Sequence, residues 1–491
     1  MNASLTWNDI YGLSPLLIIL AGSLILLLVE SYTTQFAKRF SWVIALITLL
    51  IALIPTYISI DGQHTLLTPW IRFDEPARFF SLLFLIIGIA STLLAASFFK
   101  RFEDEYKQLT HGEYYFLLLS SVVGLLLIAS AADFLILFLG LETLSIALYV
   151  MCGYMKRWEF SHEAAMKYFL MGALGASFLI YGIALIYGAI GTTQFAQLIP
   201  GFKAIASSQH AFLFYGGIAL LTVGLAFKAA IVPFHVWAPD VYDGAPNPVT
   251  AFMSVGTKAG AFAAFAVVFL LFLPQFSSWW NEGMAILAIP TLLYANYVAL
   301  QQTQLRRFFA YSGISHAGYM LIPIAAGTSD ALPALEYYLV VYSLATLGAF
   351  AVLAFLDNKS EGVQLEDLRG LFRRSPFLAG ILALSLLTLA GIPPTAGFFA
   401  KLYILKVGFD AGYYVLVLIA LLVTILSAYY YLRVVSVMLS ESVDEGTPPY
   451  ISWPAYVVGV LCVAGIVLLS VYPQPLMSGL NIAPSTISEV K

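Results

Sequence analysis

Four ionisable side chains, Glu142, Lys228, Lys258 and Lys401, stand inside long apolar stretches of this chain. A charge at the centre of a bilayer costs about 2.5–3.5 kcal/mol on insertion scales. Such residues therefore persist where they pair with one another or line a hydrated path. A carboxylate and three amines can each take up and release a proton, and the chemistry they point to is movement of protons or cations.

Position sharpens this reading. Lys258 lies mid-span in the run Val249 to Ala261, about a dozen residues from the helix start, or roughly 16 Å at 1.5 Å per residue. From there an ammonium cannot snorkel to an interface, and Gly256, Ala259 and Gly260 leave room for water or a close helix. Glu142 is equally central between Phe134 and Ile146, where the alternative is a structural hydrogen bond to a nearby Ser or Thr. Lys228 falls nearer a helix end, so snorkelling stays open. Lys401 sits in an overlong helix whose tilt could bring its amine to an interface. Of the six histidines, His64, His111, His162 and His210 fall at loops or helix ends. His235, about two turns beyond Lys228, and His316, in Tyr311–Tyr319, lie among the apolar runs, with an ordinary pKa near 6.5 that suits proton relay.

The elements that must position these groups are membrane helices. Of 491 residues, 61% are apolar and only 10% charged, with a mean hydropathy of +0.89, which excludes a set of soluble domains. The net charge of −4 and the lack of a basic cluster exclude a nucleic-acid partner. Cys152 and Cys462 lack CxxC spacing and read as small buried hydrophobes rather than zinc or iron–sulfur ligands. No basic residue precedes the first apolar run, so helix 1 is expected to be retained rather than cleaved as a signal peptide.

Runs of roughly 20 apolar residues, enough to cross a core of about 30 Å, predict an all-α polytopic membrane protein. The fourteen helices span 11–30, 40–60, 77–99, 113–130, 132–152, 164–190, 211–237, 247–273, 283–300, 308–327, 332–356, 377–407, 411–438 and 453–472. Only Ala131–Ala132–Asp133 separates the fourth from the fifth. Loops after odd-numbered helices carry Lys38, Arg39, Lys100, Arg101, Lys107, Lys156, Arg157, Arg306, Arg307, Lys359, Arg369, Arg373 and Arg374. Loops after even-numbered helices carry little beyond Arg72 and Lys203. The positive-inside rule then puts the odd loops in the cytoplasm and both termini outside. The connection from Leu356 to Ser375 reads as a linker packed on the cytoplasmic face.

Two helices are expected to be broken. Helix 7 meets Pro233 shortly after Lys228, and helix 12 carries Gly391-Ile-Pro-Pro-Thr-Ala-Gly397 just before Lys401. A proline inside a helix costs about 3 kcal/mol, and a membrane tolerates it only where protein or water re-satisfies the freed carbonyls. Two such breaks five helices apart fit inverted repeats, over helices 4–8 (113–273) and 9–13 (283–438). They are preceded by helices 1–3 (1–112) and followed by helix 14 with its tail (453–491). No GxGxxG, P-loop, CxxCH, nucleophile elbow or haem-type histidine pair is present. Energy for transport must then come from a partner or an ion gradient.

Several segments together carry a resemblance: Gly140 to Tyr149, Ala164 to Gly172, Lys228 to Pro248, Ala310 to His316, and Gly391 to Lys401. They resemble the antiporter-like membrane subunits of respiratory complex I, and the likeness covers essentially the whole chain. Lysine at 401 fits the N and L types better than the M type, which usually has glutamate there. The chain ends about twenty residues after helix 14, without the long lateral helix of the L type. The resemblance is thus strongest to the N-type subunit of bacterial NADH:quinone oxidoreductase (NDH-1). It implies a proton-translocating subunit of an enzyme complex in the bacterial inner membrane, or alternatively a thylakoid membrane. FMN, iron–sulfur clusters and quinone would belong to partner subunits, with no redox centre here. The partners implied are other membrane-arm subunits, homologous antiporter-like ones among them.

By the same resemblance Glu142 and Lys228 form a switchable ion pair, Lys258 is the central relay, and Lys401 exchanges protons in a second half-channel. His235 and His316 fall on its hydrated path, and Glu30 receives no role. Lysine suits such work because low dielectric disfavours an ammonium and a nearby carboxylate restores it, whereas arginine keeps its charge throughout. The alternative within the kinship is the D-type component of a multisubunit cation/proton antiporter. From other classes, a solute carrier would need a ligand-specific midplane pocket, and a scaffold would not need charge at all four positions.

Overall fold

The computed structural model describes residues 6–32, 40–58, 67–106, 111–274, 277–357, 362–441 and 452–472. Lys38, Arg39, Lys107, Lys359 and His64, the Arg101 side chain and the stretch after Tyr472 lie outside them. All fourteen expected helices are present among the described residues. They are α1 (Trp7–Tyr32), α2 (Ser41–Tyr57), α3 (Glu75–Tyr106), α4 (Gly112–Ser130), α5 (Phe134–Cys152), α6 (Glu159–Ile190), α7a (His210–Ala229) with α7b (Trp237–Gly244), and α8 (Asn247–Phe272). After these come α9 (Ser277–Ala299), α10 (Leu305–Ala326), α11 (Ala331–Leu356), α12a (Pro376–Ala390) with α12b (Ala396–Asp410), α13 (Tyr414–Leu439) and α14 (Trp453–Val471). The α4–α5 separation is real because Asp133 caps α5: its Oδ1 accepts from Leu135 N–H at 2.7 Å and its Oδ2 from the Thr193 hydroxyl at 2.6 Å.

The chain forms two compact units, Met1–Ala229 with Gly244–Val268, and Ala230–Asp243 with Phe269–Lys491. In the first unit α1 to α4 pack as neighbours, α4 lies on α5, and α6 lies along α7a. Its core is α8 as far as Val268, buried along most of its length and widened by a π turn at Met253–Thr257. A π turn opens space beside the helix axis, and Lys258 follows this one directly. In the second unit α9 packs on α10, and α11 packs on α12a, α12b and α14. There α10 and α11 are almost wholly buried, so their sequences show no polar face.

The outside of each unit is as apolar as the inside. On α13, Leu418, Leu422, Ile425 and Tyr429 recur at helical spacing and are all more than half exposed. On α6, Met166, Leu170, Leu174 and Tyr181 do the same. Such stripes are lethal to solubility and belong against lipid tails. The linker is packed: Leu365, Leu368 and Leu371 are buried, and Gln364 pairs in a short antiparallel bridge with Gln304.

One expectation is corrected. Helix 7 does not continue to Pro233 but ends at Ala229, and Ala230 takes a left-handed φ of 58°. The reason is spacing: a proline offers no N–H to the carbonyl four residues before it and its ring clashes there, so Pro233 ends the helix at Ala229. His235 thus falls in an irregular link between α7a and α7b rather than on a helix.

Without a hydrophobic force between helices in lipid, close backbone approach is a main source of adhesion. A Cβ added at Gly124 on α4 would come 2.6 Å from the Gly140 carbonyl oxygen on α5, and backbone cannot yield there. Gly188 on α6, by contrast, faces open space. Gly124→Ala is therefore expected to lose about 1–3 kcal/mol by overpacking, read as a lowered unfolding midpoint in detergent. Gly188→Ala is expected to match or slightly exceed the parent, and equal behaviour of the two would refute backbone contact between α4 and α5.

Candidate functional site

In the first unit α5 presents Glu142 and Ser145 one turn apart, on the side that faces the end of α7a. Lys228 donates from Nζ to Glu142 Oε1 at 2.9 Å and to Ser145 Oγ at 2.6 Å. The Ser145 hydroxyl gives its own hydrogen to the Leu141 carbonyl at 2.6 Å, which turns its lone pairs to the ammonium. Lys228 is 6% exposed and Glu142 18%. Snorkelling is thus excluded, because the amine is buried and paired.

The break beyond Lys228 makes a second cation site. Since Pro233 cannot donate to it, the Ala229 carbonyl is left open at the negative end of α7a. Lys258, 1% exposed, points Nζ at that oxygen from 3.5 Å. Nearby Val232 N–H is diverted to Thr291 Oγ1 at 3.1 Å.

The second unit repeats this device with its own parts. Pro394 stands four residues after Ala390, Gly391 turns the chain at φ 77°, and α12a ends. Lys401 from α12b donates to the Ala390 carbonyl at 2.9 Å and, more distantly, to Ser427 Oγ at 3.5 Å. Its ammonium lies 4.8 Å from the centre of the Tyr319 ring, a cation–π distance. The Tyr319 hydroxyl is fixed by Thr424 Oγ1 at 2.7 Å and the Ala420 carbonyl at 3.0 Å. At 5% exposure Lys401 is buried, so tilt does not carry its amine to an interface.

Between Lys401 and His316 lies a cavity of about 10 Å³, lined also by Tyr338, Tyr342 and Thr388, with room for a single water. His316 Nδ1 bonds the Tyr338 hydroxyl at 2.7 Å and Nε2 the Tyr431 hydroxyl at 3.2 Å, and Tyr431 in turn bonds Ser312. Protonatable and hydroxyl groups are thus within one water of each other from Lys401 to Ser312. His235 joins no such chain. It is buried, with its ring against Tyr294 at 4.8 Å between centres.

The structure therefore brings Glu142 to Lys228, Lys258 to the end of α7a, and Lys401 towards His316. Sequence reading missed Ser145, Tyr319, Ser427 and Tyr431. Ser145 and Tyr319 were findable, since each lies three residues, one helical turn, after Glu142 or His316. Ser427 and Tyr431 come from α13, and nothing local to Lys401 or His316 points to them.

Broken membrane helices with buried lysines at their ends define an antiporter-like membrane protein. Residues 131–427 match the family model described as NADH:quinone oxidoreductase/Mrp antiporter, TM, and the chain belongs to that family. It is 55% identical to NADH-quinone oxidoreductase subunit N of Protochlamydia amoebophila, covering 98% of this chain and 99% of that one. It is 41% identical to NADH-quinone oxidoreductase subunit N 1 of Sorangium cellulosum, over 89% and 90% of the two chains. Its fold matches a chain of respiratory complex I from Thermus thermophilus with a TM-score of 0.78 and 32% identity, covering 95% of this chain and 99% of that one. The resemblance to N-type subunits drawn from the motifs is borne out.

Removing one partner of a buried pair leaves an uncompensated charge and costs about 3–5 kcal/mol, whereas replacing both by apolar groups is often neutral. Glu142→Leu alone is expected to destabilise the detergent-solubilised protein by about 3 kcal/mol, and Glu142→Leu with Lys228→Met to recover most of that loss. A double variant as unstable as the sum of its singles would show that the two groups do not act as a pair.

Proposed function

We propose that this chain is a proton-translocating membrane-arm subunit of an NADH:quinone oxidoreductase in a bacterial inner membrane. In this reading both termini lie outside the cytoplasm, and further membrane-arm subunits, antiporter-like ones included, are its neighbours. Electrons pass from NADH to quinone through FMN and iron–sulfur centres in partner subunits, and this chain carries no redox centre. The observation that carries the proposal is the buried set of three ammonium groups, one on a carboxylate and two on carbonyls that prolines leave open.

Glu142 and Lys228 act as the switchable pair. While they touch, at 2.9 Å, the ammonium is compensated. Drawn apart, an isolated charge in low dielectric is costly, and the cost is relieved by giving up the proton. Lys258, held by the end of α7a, passes its own proton on and then takes up this one as the relay. Lys401 is the exchanging group of the second half, with the one-water cavity, His316, Tyr431 and Ser312 as its way out. His235, buried in the link after α7a, belongs to the same path as a site for water. The internal repeats over 113–273 and 283–438 account for the recurrence of the proline-and-lysine device.

The reading is tested by isolating the tagged chain in mild detergent. Co-purified flavin and NADH:quinone reduction are expected. An assembly without them that dissipates a pH gradient on sodium addition in everted vesicles would replace it with a cation/proton antiporter. Because arginine holds its proton, Lys258→Arg is expected to lower NADH-driven acidification at least about tenfold, the effect of ~1.4 kcal/mol on a rate, as Lys258→Ala does. Near-parent pumping by the arginine variant would sink the relay role.

A further inference from the structure

A larger cavity, lined by none of the residues of the proton path, opens among four helix ends in the first unit. These are the start of α1, the end of α2, the start of α3 and the end of α4. Its volume is about 120 Å³, far beyond a single water site. One end is charged and the other apolar. Arg72 and Arg78 line the charged end with Asp74, and Glu75, outside the lining, pairs with Arg78. Leu16, Pro55 and Leu126 line the other end.

The two arginines are placed differently. Arg72, with 7% of its side chain exposed, is pinned by Asp74 at 3.0 Å and by the Ala129 carbonyl at 3.0 Å. Arg78, 30% exposed, donates to the Tyr57 carbonyl at 2.8 Å and meets the exposed Glu75 at 3.3 Å. An exposed pair of that kind holds weakly, so Arg78 can exchange Glu75 for an incoming anion. A guanidinium fork suits phosphate oxygens.

The site also sits at the level of an interface. Trp7, Tyr57 and Trp70, at these same helix ends, are 85%, 69% and 46% exposed, as an aromatic belt is. From Tyr11 to Leu16 is five residues, so along α1 the cavity runs roughly 8 Å inward at 1.5 Å per residue. Leu17 of α1 and Ile54 of α2, next in sequence to the lining residues Leu16 and Pro55, are exposed apolar side chains. An occupant with an anionic head and a hydrocarbon tail matches both ends.

We propose that this cavity binds an anionic phospholipid, the phosphate taken between Arg72 and Arg78 and the first carbons of one acyl chain laid along Leu16, Pro55 and Leu126. The inference does not depend on the proton path. In the test, the intact detergent-purified assembly is placed in phosphatidylcholine vesicles holding a little photoreactive phosphatidylglycerol, and labelled peptides are read by mass spectrometry. Label is expected on the facing ends of α1 and α2, displaced by unlabelled phosphatidylglycerol but not by inorganic phosphate or phosphatidylcholine. Arg78→Gln is expected to weaken labelling about tenfold, the loss of one charge-assisted hydrogen bond. Leu16→Trp, which fills the apolar end and leaves both arginines, is expected to weaken it as well. Displacement by inorganic phosphate would assign the site to a free anion and overturn the lipid. Equal labelling by a phosphatidylcholine probe, or label confined to other helices, would overturn the site.

Discussion

In a bilayer no water is at hand to satisfy a backbone carbonyl, and the site rests on two carbonyls deprived of their usual donors. Proline at 233 and at 394 each stands four residues after a carbonyl, Ala229 and Ala390, that a continuing helix would have bonded. Left bare, such an oxygen would cost several kcal/mol in hydrocarbon. Here each is met by a lysine ammonium, Lys258 at 3.5 Å and Lys401 at 2.9 Å. The defect and the charge answer each other: the carbonyl needs a donor, and the buried ammonium needs negative potential. Neither would be tolerable alone, and together they hold a titratable group deep in an apolar protein.

This mutual dependence explains why the most buried elements surround the breaks. The small residues Gly256, Ala259 and Gly260 and the π turn before Lys258 let the amine reach the end of α7a. The almost wholly buried α10 supplies the Tyr319 face and His316 on the side of Lys401. The exterior does a different job, and its apolar stripes on α6 and α13 contribute lipid contact rather than chemistry.

Much of this was legible in the sequence because membranes impose so few options. Twenty apolar residues in a row admit little but a helix, and all fourteen were found. Pro233 and the Gly391–Pro394 run announced the breaks. The exact end of α7a was misjudged because a proline acts four residues upstream of itself, at Ala229, rather than where it stands. Charge burial at Lys258 could be read from depth alone. For Lys228 and Lys401 it could not, since a flexible four-carbon stem near a helix end can point either way, and packing decided. The hydroxyl partners from α13 were out of reach, because Ser427 and Tyr431 are brought to Lys401 and His316 by tertiary structure alone.

The three lysines also differ in how fully their charge is matched. A proton on Lys228 is balanced by the full charge of Glu142. One on Lys258 or Lys401 is balanced by a helix end worth about half a charge, with the Tyr319 quadrupole added at Lys401. Identical side chains are thereby held in unequal electrostatic surroundings. The inequality is adjustable at only one of them, since a carboxylate on a rotatable side chain can move away and a helix terminus cannot. A conformational change delivered to α5 would therefore act first on the Glu142–Lys228 contact. In the proposed function the carbonyl-held lysines stay fixed in place, and the moving carboxylate is what releases the proton of Lys228.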